Sequence, residues 1–273
     1  MNPGKRIRLS RIMDEDSTRT LIVPMDHGVT SGAIQGLTDA RETMKDMVAG
    51  GADALVLHKG LVRLGHPAGG GRAALIMHLS ASTDLSPVCN SKALVGSVEE
   101  ALRLGADAVS VHVNLGDIEE RRMLVDIGKT AESCDSWGMP LLAMIYARAP
   151  HIKNAHAPEV VAHCARVGME LGADIVKVPY TDEAGAFTDV VKACGVPVVI
   201  AGGKRMSSDQ EFLHMAADAI RAGASGLSVG RNVFQHPRRK VLLKALRGIV
   251  HGNKTVEEGL ALLARPEPQI SAA

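Results

Sequence analysis

Eight short apolar runs alternate along the chain with segments of helical periodicity, and a short glycine-containing pattern recurs before every second run. These observations predict an α/β protein with one domain, a (β/α)8 barrel of the TIM-barrel type. Each run is about five residues long and almost wholly apolar, as strands buried on both faces should be. The runs are Thr20–Met25, Ala54–His58, Ala74–His78, Ala108–Val113, Pro140–Tyr146, Asp174–Val178, Pro197–Ala201 and Gly226–Val229.

Segments of helical period lie between these runs, as in Glu99–Leu104 and Pro158–Leu171. The recurring pattern is Gly-Ala-Asp, or Gly-Ala-Ser in its last copy. It precedes the even-numbered strands and begins at Gly51, Gly105, Gly172 and Gly223. We expect each glycine to end a helix in a left-handed conformation and the polar residue to open the strand. Each repeat is then a quarter of a barrel; a doubly wound open sheet is the alternative.

Domain organisation follows from the same pattern. We expect residues 1–265 to form the barrel, with a helical extension at its N-terminus, and no internal domain boundary. Residues 266–273 contain Pro266 and Pro268 and are expected to form a flexible tail.

Composition excludes several classes of function. Lys and Arg number 31 and Asp and Glu 30, a net charge of +1, so a nucleic-acid partner is not expected. Three Phe, two Tyr and one Trp leave little material for stacking on bases or sugars. The apolar runs are far shorter than the roughly 20 residues of a membrane-spanning helix, so no membrane partner is expected. Four scattered cysteines and the lack of a secretory signal favour the cytoplasm.

The active site of such a barrel lies at the carboxyl ends of its strands. Lys177 is inside the sixth apolar run, and lysine is rarely buried without reason. Strand alternation places its ammonium group in the barrel interior near the mouth, where desolvation would lower its pKa to about 7–8. A neutral amine there can attack a carbonyl and form a Schiff base. The alternative is a structural ion pair with a carboxylate such as Asp26.

Two strand-end residues are candidates for proton transfer. Tyr146 ends the strand next to that of Lys177 and could exchange a proton with a substrate oxygen, although an amphipathic residue at the rim would look the same. Asp26 ends the first strand and could act as a base, the alternative being an Asx turn or helix cap before Gly28.

Strands seven and eight end in Gly202-Gly203 and Gly230-Arg231. Barrels commonly bind phosphate at these two positions on backbone N–H groups, and Arg231 would add a fork of donors. The alternative is a pair of tight turns. Three further candidates for binding substrate or phosphate follow other strands: His27, Thr30 and Arg148.

Histidines near the ends of the first four strands raise the alternative of a metal-dependent lyase: His27, His58, His78 and His112. They show no H-x-H or H-E-x-x-H spacing, so no metal is predicted. A non-catalytic, phosphate-sensing barrel is a second alternative, but a pure binding site needs no buried lysine.

These residues resemble the DhnA-type class I aldolase family over nearly the whole chain. The likeness includes Arg8-Leu9-Ser10-Arg11-Ile12, Met25-Asp26-His27-Gly28, Asp174-Ile175-Val176-Lys177, Ala201-Gly202-Gly203 and Val229-Gly230-Arg231-Asn232. It implies that Lys177 is the Schiff-base lysine, Tyr146 the proton donor and Asp26 the proton acceptor. It places the phosphate contacts on Gly202, Gly203, Gly230 and Arg231. The chain departs from the family at Val178-Pro179-Tyr180, where Thr-Ser or Thr-Tyr is frequent.

The resemblance also implies an activity. A phosphoketose-derived donor would be joined to an aldehyde, with L-aspartate semialdehyde as the expected acceptor, on an alternative route to 3-dehydroquinate. Two other activities of the family stay open: condensation of dihydroxyacetone phosphate with the same semialdehyde in aminohydroxybenzoate biosynthesis, and class I fructose-bisphosphate aldolase. No cofactor is expected beyond the covalent imine. The family forms homo-oligomers, often decamers.

Overall fold

The computed structural model describes residues 2–65, 73–181 and 184–266. Within these ranges, eight parallel strands close into a barrel in which neighbours in the chain are neighbours in the sheet. The eighth strand pairs with the first, so the barrel prediction is confirmed and the open-sheet alternative is wrong. The strands are β1 (Thr20–Pro24), β2 (Ala54–Leu57), β3 (Ala74–His78), β4 (Ala108–Leu115), β5 (Leu141–Ala147), β6 (Ile175–Pro179), β7 (Val198–Ala201) and β8 (Gly226–Ser228).

Helices surround the barrel and cover its amino end. They are α1 (Pro3–Ile12), α2 (His27–Ser31), α3 (Ala40–Gly50), α4 (Lys59–Gly65), α5 (Val98–Arg103), α6 (Glu120–Trp137), α7 (Pro158–Glu170), α8 (Phe187–Cys194), α9 (Asp209–Arg221), α10 (Arg231–Phe234), α11 (Arg239–Gly252) and α12 (Val256–Ala264). A 3-10 turn at Ala184–Ala186 precedes α8. None of the helices in the described ranges is long and apolar enough to cross a membrane. The predicted tail, residues 266–273, lies outside the described residues from 267 onward.

The recurring Gly-Ala-Asp pattern joins strands at the amino end of the barrel. Its four glycines all have positive φ, between +79° and +96°, which confirms the predicted left-handed turn. In each of the first three copies, a carboxylate oxygen of the aspartate accepts a hydrogen bond from a backbone N–H at the start of the preceding odd-numbered strand. The pairs are Asp53 with Leu21 (2.6 Å), Asp107 with Leu75 (3.0 Å) and Asp174 with Leu141 (2.9 Å).

Helix α1 closes this amino end. Ile12 is completely buried and packs into the apolar interior of the barrel. The aspartates of the repeat hold the helix in place, because Lys5 lies 3.1 Å from Asp174 and Arg11 lies 2.8 Å from Asp107. The opposite, carboxyl end of the strands is therefore the mouth at which a substrate can enter.

A two-stranded antiparallel hairpin at the mouth was not predicted. Its strands, Ser80–Ala81 and Ala93–Leu94, are too short to show a period in the sequence. The hairpin continues the chain just beyond β3 and rests on β4, since the Ser80 hydroxyl accepts a hydrogen bond from the His112 amide at 2.9 Å. The residues between its strands, 82–92, therefore form part of the rim.

Candidate active site

Lys177 points into the barrel, as predicted. Its neighbour two positions earlier, Ile175, packs in the interior cluster, and strand alternation gives Lys177 the same orientation. The side chain is buried, with 6% of its surface exposed. Burial lowers the pKa of Lys177 to about 8, against the attraction of Asp26 and with the repulsion of Arg231. An appreciable fraction of the amine is therefore neutral near physiological pH.

The Lys177 ammonium forms no direct ion pair with the residues that the structure describes. No carboxylate among the described residues lies within 4.0 Å of its Nζ atom. The Asp26 carboxylate influences it electrostatically, but the two groups form no direct ion pair. The structural ion-pair alternative therefore does not describe this lysine, and its amine is available to a ligand.

Asp26 faces the mouth rather than capping a helix. Its side chain makes no capping hydrogen bond to α2; its two carboxylate oxygens lie 3.5 Å from His27 Nδ1 and 3.6 Å from His78 Nε2. Burial would raise the pKa of this carboxyl, but attraction by His78 and His27, which are protonated in acid, and by Lys177 outweighs burial and lowers it. Because burial lowers the pKa of His78 to about 4, that imidazole is neutral at pH 7. Asp26 is thus an ionised carboxylate beside a neutral histidine.

Tyr146 lies on β5, on the mouth side of the residue that pairs with Lys177. Met144 is in register with Lys177, and Tyr146, two residues on, shares its face and packs on the same interior cluster. Its ring lies 4.9 Å from the ring of His112, centroid to centroid, and the Arg148 guanidinium carbon lies 5.2 Å from its centroid. Burial raises the pKa of Tyr146, so the phenol keeps its proton at neutral pH.

The glycine ends of β7 and β8 form a cradle of backbone groups in which Gly203 is exposed, whereas Gly202 and Gly230 are buried. Gly203 has a φ of +64°, and a Cβ atom built on it would meet nothing within 4 Å. At Gly230 a Cβ atom would lie 2.7 Å from the Pro24 carbonyl oxygen, so only glycine fits there. The backbone N–H groups of Gly203, Gly230 and Arg231 donate to no residue that the structure describes. Such groups are suited to hold an anion.

Two side chains fix the shape of this cradle. The Arg231 guanidinium donates to the Gly203 carbonyl oxygen at 2.9 Å, and its buried Nε has no partner in the described part of the chain. Asn232 donates to the Gly202 carbonyl at 2.7 Å and accepts from the Met206 amide at the same distance. Asn232 therefore ties the two loops together, a role that the sequence analysis did not assign.

The other predicted binding residues divide between two sides of the mouth. His27 borders the cradle, since a Cβ atom on Gly230 would lie 2.8 Å from its Cε1 atom. Arg148 lies with Tyr146 on the β5 side. Thr30, one turn along α2 from His27, contacts the rim, where its carbonyl accepts from the Asp84 amide at 2.8 Å.

The strand-end histidines differ in their partners, although His27 and His78 both lie beside Asp26. The rings of His58 and His78 are tilted by 60° with their centroids 5.1 Å apart, whereas His112 Nε2 lies 2.9 Å from Asn114 Oδ1. Among the described residues, no three His, Cys, Asp or Glu side chains are grouped so that they could hold a metal ion.

Sequence analysis also missed Lys92. This buried lysine lies next to the hairpin strand Ala93–Leu94, is 9% exposed and donates through Nζ to the Ser82 hydroxyl. No periodic run surrounds it, because it belongs to the rim and not to a barrel strand. The only available signal was the rarity of buried lysine, which requires knowing that the loop is buried.

A closed (β/α)8 barrel with a partly neutral lysine facing its interior, near an ionised carboxylate and a protonated phenol, defines the class of Schiff-base aldolases. The comparisons with known proteins agree. The profile of the DeoC/LacD family aldolases matches residues 20–236, and the chain belongs to this family. The predicted resemblance to class I aldolases is thereby confirmed.

Two relatives resemble the chain over almost its full length. The 2-amino-3,7-dideoxy-D-threo-hept-6-ulosonate synthase 1 of Archaeoglobus fulgidus is 47% identical over 259 residues, 93% of this chain and 94% of that protein. The 2-amino-4,5-dihydroxy-6-oxo-7-(phosphonooxy)heptanoate synthase of Streptomyces griseus is 43% identical over 252 residues, 92% of each.

A solved archaeal structure shows the same fold with a bound intermediate. It is a fructose-1,6-bisphosphate aldolase whose catalytic lysine is covalently bound to the carbinolamine intermediate of its substrate. It superposes with a TM-score of 0.83 at 30% identity and covers 91% of this chain and 100% of its own. The predicted enzyme class, an aldolase that binds substrate on a lysine, is confirmed by these relationships.

Proposed function

We propose that this enzyme joins a phosphoketose-derived donor to L-aspartate semialdehyde, the reaction type expected of a 2-amino-3,7-dideoxy-D-threo-hept-6-ulosonate synthase. The observation that carries the proposal is the environment of Lys177. Its amine is buried, has a pKa of about 8 and touches no carboxylate of the described ranges, while Asp26 and Arg231 act on it electrostatically. A donor whose phosphate is bound in the glycine cradle would present its ketone to this amine.

In the first step the neutral amine of Lys177 adds to the donor ketone. The resulting carbinolamine loses water and becomes an iminium, which is a sink for an electron pair. Either a carbon–carbon bond of the donor then breaks or a proton leaves the adjacent carbon. In both cases Asp26 accepts the proton, because its lowered pKa keeps it ionised, and an enamine remains on Lys177.

In the second step the enamine carbon attacks the aldehyde carbon of the acceptor. The aldehyde oxygen takes a proton from Tyr146, whose raised pKa keeps the phenol protonated until this charge develops. The proton held by Asp26 restores the phenol. Water then adds to the new iminium and releases both the product and the Lys177 amine.

The donor phosphate is proposed to sit in the glycine cradle. Its oxygens would accept from the backbone N–H groups of Gly202, Gly203 and Gly230 and from the Arg231 guanidinium. His27 borders this cradle, and Thr30 lies on the same short helix, so we assign both to substrate binding. Arg148 is assigned to the other half of the substrate.

Dihydroxyacetone phosphate is a second candidate donor. The relative from Streptomyces griseus is named for a heptanoate that carries a ketone at carbon 6 beside a phosphorylated carbon 7. Condensation of dihydroxyacetone phosphate with aspartate semialdehyde would give that arrangement.

The discriminating experiment offers either dihydroxyacetone phosphate or a phosphoketose such as fructose 1,6-bisphosphate together with aspartate semialdehyde. The product is identified by mass, with and without EDTA. A seven-carbon amino acid product formed in the presence of EDTA is expected. Cleavage of fructose 1,6-bisphosphate with no product from the semialdehyde would instead assign the enzyme to sugar bisphosphates. Loss of turnover in EDTA would favour the metal-dependent lyase.

We also propose that residues 1–265 act as one catalytic domain with residues 266–273 as a tail. By resemblance to the family, we propose a cytoplasmic homo-oligomer of ten subunits. Large apolar side chains at the surface, Leu85 at 96% and Ile118 at 83% exposure, are suited to a subunit contact. Sedimentation of the purified protein gives the mass, and a monomer would contradict this assignment.

A further inference from the structure

Two cations on the rim form a group separate from the phosphate cradle. Lys92 is buried before the second strand of the hairpin, and Arg148 directly follows β5. Their hydrogen bonds go to neutral groups: Lys92 donates to the Ser82 hydroxyl, and Arg148 Nη1 donates to Asn90 Oδ1 at 3.3 Å. No carboxylate in the described ranges lies within 4.0 Å of either cation.

The two cations repel each other and both act on His112. Burial and the repulsion of Arg148 lower the pKa of Lys92, and both cations contribute to the lowered pKa of the buried His112. His112 in turn packs on Tyr146, the proposed proton donor. Placing like charges together in a partly desolvated site is unfavourable unless an anion joins them. This arrangement is therefore suited to a negatively charged ligand.

The barrel topology places this pair across the mouth from the cradle. The hairpin follows β3 and rests on β4, whereas the cradle follows β7 and β8. In a closed ring of eight strands, β3 and β4 stand opposite β7 and β8. The charge of Arg231 in the cradle contributes to the lowered pKa of Lys177, and the charge of Lys177 contributes to the lowered pKa of Asp26. The Asp26 carboxylate in turn acts to raise the pKa of Lys92. The reacting groups thus lie between two positively charged ends.

We infer that Lys92 and Arg148 form a second anion subsite, which binds the carboxylate of the aldehyde acceptor. This assignment rests on the proposed function; with dihydroxyacetone phosphate as the donor, one end of the new carbon chain carries a phosphate and the other a carboxylate. The cradle holds the phosphate end and Lys177 the ketone carbon. The subsite then holds the carboxylate, and the aldehyde carbon lies in reach of the enamine and of Tyr146.

The test measures KM for three aldehydes in the wild-type enzyme and in Lys92→Met. Dihydroxyacetone phosphate is the donor in every assay. With aspartate semialdehyde, Lys92→Met is expected to raise KM roughly 10–100-fold, as befits the loss of a hydrogen bond to a charged group. With propanal, which has no charge, KM should change less than about twofold. With glyceraldehyde 3-phosphate, the loss should be smaller than with the semialdehyde.

Three further variants control for effects of the substitution itself. Arg148→Met changes an exposed residue and is expected to show the same dependence on the acceptor. Lys92→Arg keeps the charge and should restore most of the affinity. Lys59→Met removes a lysine that is paired with Glu100 at 3.0 Å and should leave all three KM values unchanged.

Trapping the donor with borohydride in the absence of any aldehyde separates the two hypotheses. Failure of the wild-type enzyme to form a donor adduct would overturn the proposed function. A normal adduct together with an unchanged KM for the semialdehyde, or with an equal loss for propanal, would overturn the subsite alone. A larger loss with glyceraldehyde 3-phosphate than with the semialdehyde would show that the subsite selects phosphate, which also contradicts the assignment.

Discussion

Oδ2 of Asp26 lies 3.6 Å from Nε2 of His78, whose Nδ1 lies 2.8 Å from the Ser110 hydroxyl. The three residues come from the ends of β1 and β3 and from the interior of β4. Because burial keeps His78 neutral at pH 7, the imidazole lies beside the carboxylate without neutralising its charge. The main cation that balances Asp26 at pH 7 is then Lys177, so the proposed base and nucleophile are linked electrostatically.

Lys177 is predicted to form the covalent intermediate. Borohydride reduces an iminium to a stable secondary amine, so donor plus borohydride should inactivate the enzyme and add one donor mass to the peptide that contains Lys177. Lys177→Ala should lose both labelling and turnover, and Lys177→Arg should do no better, since guanidinium stays protonated. Lys59→Ala is the control and should label normally. An adduct on Lys59 would refute the assignment.

The phenol of Tyr146 and the carboxylate of Asp26 are predicted to carry protons. Tyr146→Phe removes only the hydroxyl and should lower kcat by about 10²–10⁴ while the donor adduct still forms. Asp26→Asn should behave in the same way. Steady-state kinetics and trapping on the same preparations provide the comparison. Turnover close to that of the wild type would leave either residue with a structural role only.

The glycine cradle is predicted to recognise phosphate. Arg231→Ala should raise KM for a phosphorylated donor roughly tenfold or more and leave that for dihydroxyacetone, its unphosphorylated counterpart, nearly unchanged. Gly203→Val should act similarly, because valine is strained at a φ of +64° and its side chain would enter the cradle. Equal losses for both donors would place the phosphate elsewhere.

The rate of imine formation is predicted to depend on pH through Lys177. Below its pKa of about 8 the neutral fraction of the amine falls about tenfold per pH unit, so trapping should slow in that range and level off above it. Arg231 lowers this pKa and Asp26 raises it. Arg231→Ala should therefore move the midpoint to higher pH, and Asp26→Asn to lower pH. Shifts in the reverse directions would contradict the electrostatic account.

The plug formed by α1 is predicted to contribute to stability. Ile12→Ala opens a cavity at the base of the barrel and should lower the free energy of unfolding by about 2–5 kcal/mol. Ile7→Ala, on the exposed side of the same helix, is the matched control and should have little effect. Chemical denaturation of the two variants measures the difference, and equal stabilities would show that α1 does not close the barrel tightly.

Much of the fold could be predicted because the barrel strands are buried on both faces. Their apolar runs stand out from the sequence, and the alternation around Lys177 fixed its orientation. The hairpin of the rim was not predicted, because its strands are only two residues long. The aspartates of the repeat were expected only to open strands. The hydrogen bonds that they accept could not be predicted, because the donors lie about 32 positions away in the sequence.

The candidate site could be predicted in part for the same reason. Residues on strands, such as Lys177 and Tyr146, have neighbours that are set by a period of two. Lys92 could not be placed, because its burial depends on how the loop folds over the mouth. The choice between a cap and a base for Asp26 likewise depended on a side-chain orientation that local sequence does not determine.

The rim hairpin has a consequence for how this enzyme can change over evolutionary time. The proposed nucleophile and proton donor are on barrel strands, whereas Lys92 is carried by the segment after β3. If Lys92 binds the acceptor carboxylate as proposed, mutation, insertion or recombination within that segment would alter the preferred aldehyde and leave the imine chemistry intact. Descendants of one ancestor can in this way acquire new products by exchanging a single peripheral loop.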